Sequence, residues 1–96
     1  MLNAHAHHVV MKGKFLSWNA TSLGRRALKA LDKSREILRK HGIDPVYGLE
    51  NLHWAPNRGH TRQYAIDVFE QLNKTIKGGG GYDEIVEVLE QIAKGM

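Results

Sequence analysis

The longest periodic stretch in the sequence, between Thr21 and Gly42, sets most of what the chain can become. Leu23, Ala27, Ala30, Leu31, Ser34, Ile37 and Leu38 fall on one side of a wheel turning about 100° per residue. Thr21 or Ser22 caps the start, and Gly42 stops the helix after Lys40 and His41, whose charges suit a helix C-terminus. A helix with one apolar side must bury it against other elements. A chain of 96 residues removes roughly 60–65% of its unfolded surface from water. That is enough for one core of about three helices and a small sheet, and too little for two domains.

The rest of the chain supplies those partners. Residues 5–12 alternate loosely, end in Val9-Val10-Met11 and read as a short strand broken by Lys12-Gly13-Lys14. Asp44-Pro45 and Gly48 mark turns, and Leu52-His53-Trp54-Ala55 reads as a second short strand ended by Pro56. From His60 to about Lys77 the spacing of Ala65, Val68, Phe69, Leu72 and Ile76 is helical. Gly78 through Gly81 is expected to be a flexible break before a last helix. That helix starts at Asp83, turns Ile85, Val86, Leu89, Ile92 and Ala93 inward, and stops at Gly95. The predicted class is α+β: one domain over 1–96, its long helix inserted between two short antiparallel strands, with further helices at the C-terminal end.

Charge is unevenly spread. Residues 78–96 hold one base (Lys94) and four acids (Asp83, Glu84, Glu87, Glu90), giving −3 and leaving +7 on residues 1–77. A basic body suits a polyanion such as nucleic acid. Arg25, Arg26, Lys29, Lys33 and Lys40 form a stripe opposite the apolar side of the long helix. A plain solvated face is the competing reading. No apolar run nears the roughly 20 residues of a membrane-spanning helix, and the first residues lack the regions of a signal peptide. The chain is expected to work in a cytosol or to have been cut from a larger protein.

With no cysteine and six histidines, at 5, 7, 8, 41, 53 and 60, thiolate chemistry is excluded and any metal falls to imidazole, carboxylate or water. His7-His8 sits on a strand, where neighbours face opposite sides, so one can hold a metal while the other faces substrate; a purification remnant is the alternative. Asn51 opens the second strand and can orient an imidazole, or simply cap the turn after Gly48. His60 and Tyr64 lie four apart on one helix face, although Tyr64 also reads as a core or rim aromatic. Trp54 reads as core, His41 as a helix-end residue and His5 as exposed.

In order, these pieces are Ala6-His7-His8-Val9-Val10, Ile37 to Asp44, Asn51-Leu52-His53-Trp54-Ala55-Pro56-Asn57 and His60-Thr61-Arg62-Gln63-Tyr64. Over about residues 4–75 they resemble the HNH (His-Me finger, ββα-metal) nucleases. More closely, they are similar to the AHH branch found as C-terminal toxin domains of bacterial polymorphic toxins. HNH nucleases typically show the same nine-residue step between the middle Asn and the final His. The resemblance implies a ββα-metal core in which His7 binds a divalent cation, His8 is the general base, Asn51 fixes the strand–loop geometry, and His60 is the second ligand. Tyr64 occupies the slot where several HNH enzymes carry another ligand histidine, and Ala55 and Arg58 stand where many carry structural zinc cysteines. His53 is a further ligand or phosphate contact.

The implied activity is endonucleolytic hydrolysis of nucleic-acid phosphodiesters with little base preference, DNA favoured over RNA, using one Mg²⁺, Mn²⁺ or Zn²⁺. Imidazole, with an ordinary pKa of about 6.5, accepts a proton from water near neutral pH. Arg58 and Arg62 are placed to clamp phosphate, and Arg25, Lys29 and Lys33 to follow the backbone. A delivered toxin acting in the target-cell cytoplasm, with a cognate immunity protein, belongs to the same expectation. The alternatives are an RNase and a catalytically silent basic nucleic-acid-binding module.

Overall fold

A computed structural model describes residues 4–56 and 61–95, with the side chains of 4–7 and 54–56 left out. Strand β1 (Ala4–His8) pairs antiparallel with β2 (Leu52–Pro56) in a two-stranded ribbon, His7 standing opposite His53 and His8 opposite Leu52. Between the strands lie a short 3-10 helix (Leu16–Ala20), helix α1 (Ser22–Lys40) and a single 3-10 turn (Leu49–Asn51). Helices α2 (Arg62–Lys77) and α3 (Tyr82–Lys94) follow. The class is the expected α+β, dominated by helix.

The first strand is shorter than its sequence pattern suggests. Val9, Val10 and Met11 are all buried, which a strand with alternating faces does not allow on one wet ribbon. The chain therefore leaves the ladder after His8 and sends all three side chains into the core. There they meet Ala27, Leu31 and Leu38 of α1, Ala65, Val68 and Leu72 of α2, and Ile85 and Leu89 of α3. Arg35 holds the exit: its Nε and Nη2 donate to the Met11 carbonyl at 3.0 and 2.8 Å, and Nη2 also donates to the Gly13 carbonyl.

Helix α1 starts as expected, with the Thr21 hydroxyl accepting from the Gly24 amide at 3.0 Å. Leu23, expected inward, is instead 42% exposed. The buried position in that turn belongs to Gly24, where an added Cβ would lie 1.9 Å from the Trp18 carbonyl oxygen. The 3-10 helix seats its backbone on α1 through that missing side chain. Its entry residue Phe15 holds a left-handed φ of 48° and stacks on Trp18 at 4.5 Å between centroids.

The α2 start is one to two residues later than expected. Thr61 is the cap, its hydroxyl accepting from the Tyr64 amide at 3.0 Å, and Arg62 is the first helical residue. The glycine run is not a loose break. Gly78, Gly79 and Gly80 amides donate to the Lys74, Ile76 and Thr75 carbonyls, and the Gly81 amide donates to Glu84 Oε1 at 2.7 Å. Glycine is required at position 79, whose φ is +87°. Helix α3 begins at Tyr82, one residue before the expected Asp83.

Gly24→Ala is expected to destabilise the protein by about 1–3 kcal/mol or more. Urea unfolding should show a lower midpoint with an unchanged slope. An unchanged midpoint would contradict the close seating of Trp18 on α1.

Candidate functional site

The site is built around Asn51, the last residue of the 3-10 turn before β2. Its side chain is wholly buried and behaves as a displaced piece of backbone. Oδ1 accepts from the Val10 amide at 2.8 Å, while Nδ2 donates to the Val10 carbonyl at 2.9 Å and to the Pro45 carbonyl at 2.8 Å. The Val9 amide donates to the Asn51 carbonyl at 3.0 Å. Past the end of the ladder at His8, the next two residues are thus held by Asn51, first through its backbone carbonyl and then through its side-chain amide. All three side-chain bonds end on backbone, so Asn51 is a positioning residue.

The same amide fixes the turn facing His8. Asp44 Oδ1 accepts from the Val46 and Tyr47 amides at 2.8 and 3.0 Å, and the Gly48 amide donates to the Asp44 carbonyl at 2.9 Å. The bonds from Tyr47 and Val46 hold the Asp44 carboxyl below its ordinary pKa, as expected for an anion accepting two N–H groups. The sequence marks this stretch as a turn by Asp44-Pro45, and does not mark what the turn presents. It presents the Val46 carbonyl, 2.8 Å from His8 Nε2.

A carbonyl can only accept, so His8 carries a proton on Nε2, and in the neutral form of the ring the lone pair is on Nδ1. The ring is half-buried. The arrangement commits one nitrogen to holding the ring and turns the other away from the Val46 carbonyl. His53 is tied in the same way, Nε2 donating to the Glu50 carbonyl at 3.0 Å. Glu50 in turn accepts from the Tyr82 hydroxyl at 2.6 Å, which links α3 to the turn that carries Asn51. That bond is the first cause of the lowered Glu50 pKa.

Tyr64 reaches the other side of the exit from β1. Its hydroxyl donates to the Val9 carbonyl at 2.8 Å, and burial raises its pKa from 10.0 to about 12. A phenol in that state is a donor, whereas a metal ligand calls for the phenolate; Tyr64 braces α2 against the residue that follows His8.

The expected metal residues His7 and His60 lie outside the described structure, the first by its side chain and the second altogether, as does Arg58. On the backbone, position 7 stands opposite His53 in the ribbon register, and the Glu50 carbonyl engages Nε2 of that His53. Among the described residues no group of three His, Asp or Glu side chains is placed to hold a metal.

The expected phosphate contacts divide. Arg25, Lys29 and Lys33 are exposed, as are Arg26 and Lys40. Arg25 Nη1 donates to the Asn19 carbonyl at 3.1 Å, and Lys33 lies 5.5 Å from the Phe69 ring centroid. Lys29 and Lys33 line a groove of about 210 Å³ between α1 and α2 together with Arg26, Ile66, Phe69 and Glu70, apart from the turn that holds His8. Arg62 is half-buried, with its guanidinium 5.7 Å from the Trp18 ring centroid. His41 is a helix-end residue as expected, its Nδ1 2.8 Å from the Ile37 carbonyl.

Asn51→Ala leaves an amide and two carbonyls without their partner and is expected to cost about 3–5 kcal/mol, at 1–3 kcal/mol per buried group left unpaired. Asn51→Asp should cost at least as much in chemical denaturation, because a carboxylate oxygen would then face the Val10 and Pro45 carbonyls; recovery of stability by Asp would contradict the donor role of Nδ2. For Tyr64 the folded pKa lies above the unfolded one, so its contribution is full below about pH 10 and is lost as pH rises towards about 12. Tyr64→Phe should remove that portion of the alkaline loss of stability, read as a difference from the parent protein.

Comparison with known proteins gives no match: no family model, curated protein or solved structure aligns significantly with the chain.

Proposed function

We propose that the chain is a metal-dependent endonuclease with a ββα-metal core, hydrolysing nucleic-acid phosphodiesters with little base preference and favouring DNA. One observation carries the reading: His8 Nε2 is tied to the Val46 carbonyl, leaving Nδ1 as acceptor beside a backbone frame locked by Asn51. A general base needs a fixed ring with one free lone pair. The antiparallel pairing of β1 with β2, with α2 following β2, supports the reading.

In this reading His8 Nδ1 takes a proton from water as the water oxygen bonds to phosphorus. The bond from phosphorus to the departing oxygen breaks in line, and that oxygen takes up a proton from solvent. The Val46 carbonyl holds the ring through both states, since Nε2 donates whether the imidazole is neutral or charged. A divalent cation held by His7 and His60, with His53 the further imidazole in register, would neutralise charge on the phosphate and the departing oxygen. The exposed row Arg25, Arg26, Lys29 and Lys33 gives sequence-blind contacts to the strand.

By the same resemblance, the domain acts as a toxin effector delivered to a target-cell cytoplasm, with an immunity protein as its partner. Among the described residues no helix is long and apolar enough to cross a membrane. The exposed basic row favours a second reading, a silent nucleic-acid-binding module. Plasmid nicking separates the two. His8→Ala is expected to lower cleavage by about 100-fold or more, and chelator should abolish it. Equal nicking by parent and variant would reject the catalytic reading, and binding without any cleavage would favour the silent module.

A further inference from the structure

Most large aromatic side chains of the described residues are tucked in. Trp18 is buried, and Phe15, Tyr64 and Phe69 pack on the core. Tyr47 is 84% exposed and Leu49 is 77% exposed, two residues apart on the turn that faces His8. A large exposed aromatic is ordinarily mobile and unspecific. This one sits on a fixed backbone: its own amide is held by Asp44, the next amide by the Asp44 carbonyl, and Pro45 by buried Asn51.

The carbonyl that holds His8 and the Cα that carries the Tyr47 ring belong to one peptide unit. With His8 Nε2 2.8 Å from that oxygen, the imidazole nitrogen lies at most about 6 Å from the Tyr47 Cα. The reacting Nδ1 is one ring width further from that Cα, and a nucleoside next to a phosphate in front of it lies within the span of the Tyr47 side chain. Aromatic side chains beside a phosphate-directed site stack on nucleobases, and do so for every base because each has a π-face. In a duplex both faces of a base are already covered by its neighbours, so a stacking ring favours an unpaired one.

We propose that Tyr47 is a stacking platform for the unpaired nucleobase next to the reacting phosphate, and that it makes the site selective for single-stranded over duplex nucleic acid. The proposal rests on the nuclease reading for the position of the phosphate. Leu49 widens the apolar surface on the far side of Gly48.

Fluorescence anisotropy with a labelled, unstructured single-stranded oligonucleotide and the blunt-ended duplex it forms with its complement tests it, in a His8→Ala background so that nothing is cut. Tyr47→Ala is expected to weaken single-strand binding by about tenfold or more while leaving duplex binding unchanged, and Tyr47→Phe should retain it. With His8 restored, Tyr47→Ala should lose the preference for cutting single strands. Unchanged single-strand binding in Tyr47→Ala, or equal losses on both ligands, would overturn the platform. The nuclease reading fails separately, if protein with His8 intact cuts neither ligand although Tyr47-dependent binding is present.

Discussion

One carboxamide organises the region on which the functional reading depends. Asn51 lies where the β ribbon ends, and a ribbon of two short strands has little hydrogen bonding of its own to keep its ends in place. By accepting from one amide and donating to two carbonyls, the side chain ties together residues 10, 45 and 51. These are the segments that supply the imidazole and the carbonyl that orients it. Both therefore answer to the same anchor. A shift of the ribbon carries ring and carbonyl together, so their separation is insulated from motion of the whole. Water could satisfy none of these groups at a fully buried position, which makes the amide hard to replace.

Around this anchor the helices act as a clamp. Arg35 of α1 grips the chain as it leaves β1, Tyr64 of α2 meets the Val9 carbonyl, and Tyr82 of α3 meets Glu50. Each helix thus sends one polar side chain to the segments next to His8 or Asn51, Arg35 and Tyr64 to backbone carbonyls and Tyr82 to the Glu50 carboxylate. The apolar contacts hold the helices together, and these three polar side chains convert that packing into a position for the site.

The helices were largely legible because periodicity, caps and stops are local signals: Thr21, Gly42 and the apolar row of α1 from Ala27 onward behave as their spacing implies. The end of β1 was not, because three successive buried residues reflect a tertiary demand that overrides the alternation of a strand. Leu23 was misplaced for a related reason, since the inner position in that turn is set by the close approach of Trp18 to a glycine. For the site, Asn51 was recognisable as a residue that fixes strand and turn, and Asp44-Pro45 as a turn. The partnership of His8 with Val46 was hidden, because a backbone carbonyl carries no mark in the sequence. Tyr47 and Tyr82 were hidden too, since exposure and a pairing across 32 residues follow only from the assembled fold.

The contact between Gly24 and the Trp18 carbonyl reaches beyond local packing. A helix face can ordinarily slip in azimuth by trading one apolar residue for the next, but a position that admits no side chain removes that freedom. The rotational setting of α1 is locked at its first turn, and the cations at positions 25, 26, 29 and 33 inherit the lock. They form a row of charges with a fixed bearing on the molecule, and a polyanion that approaches it meets one defined line of positive potential.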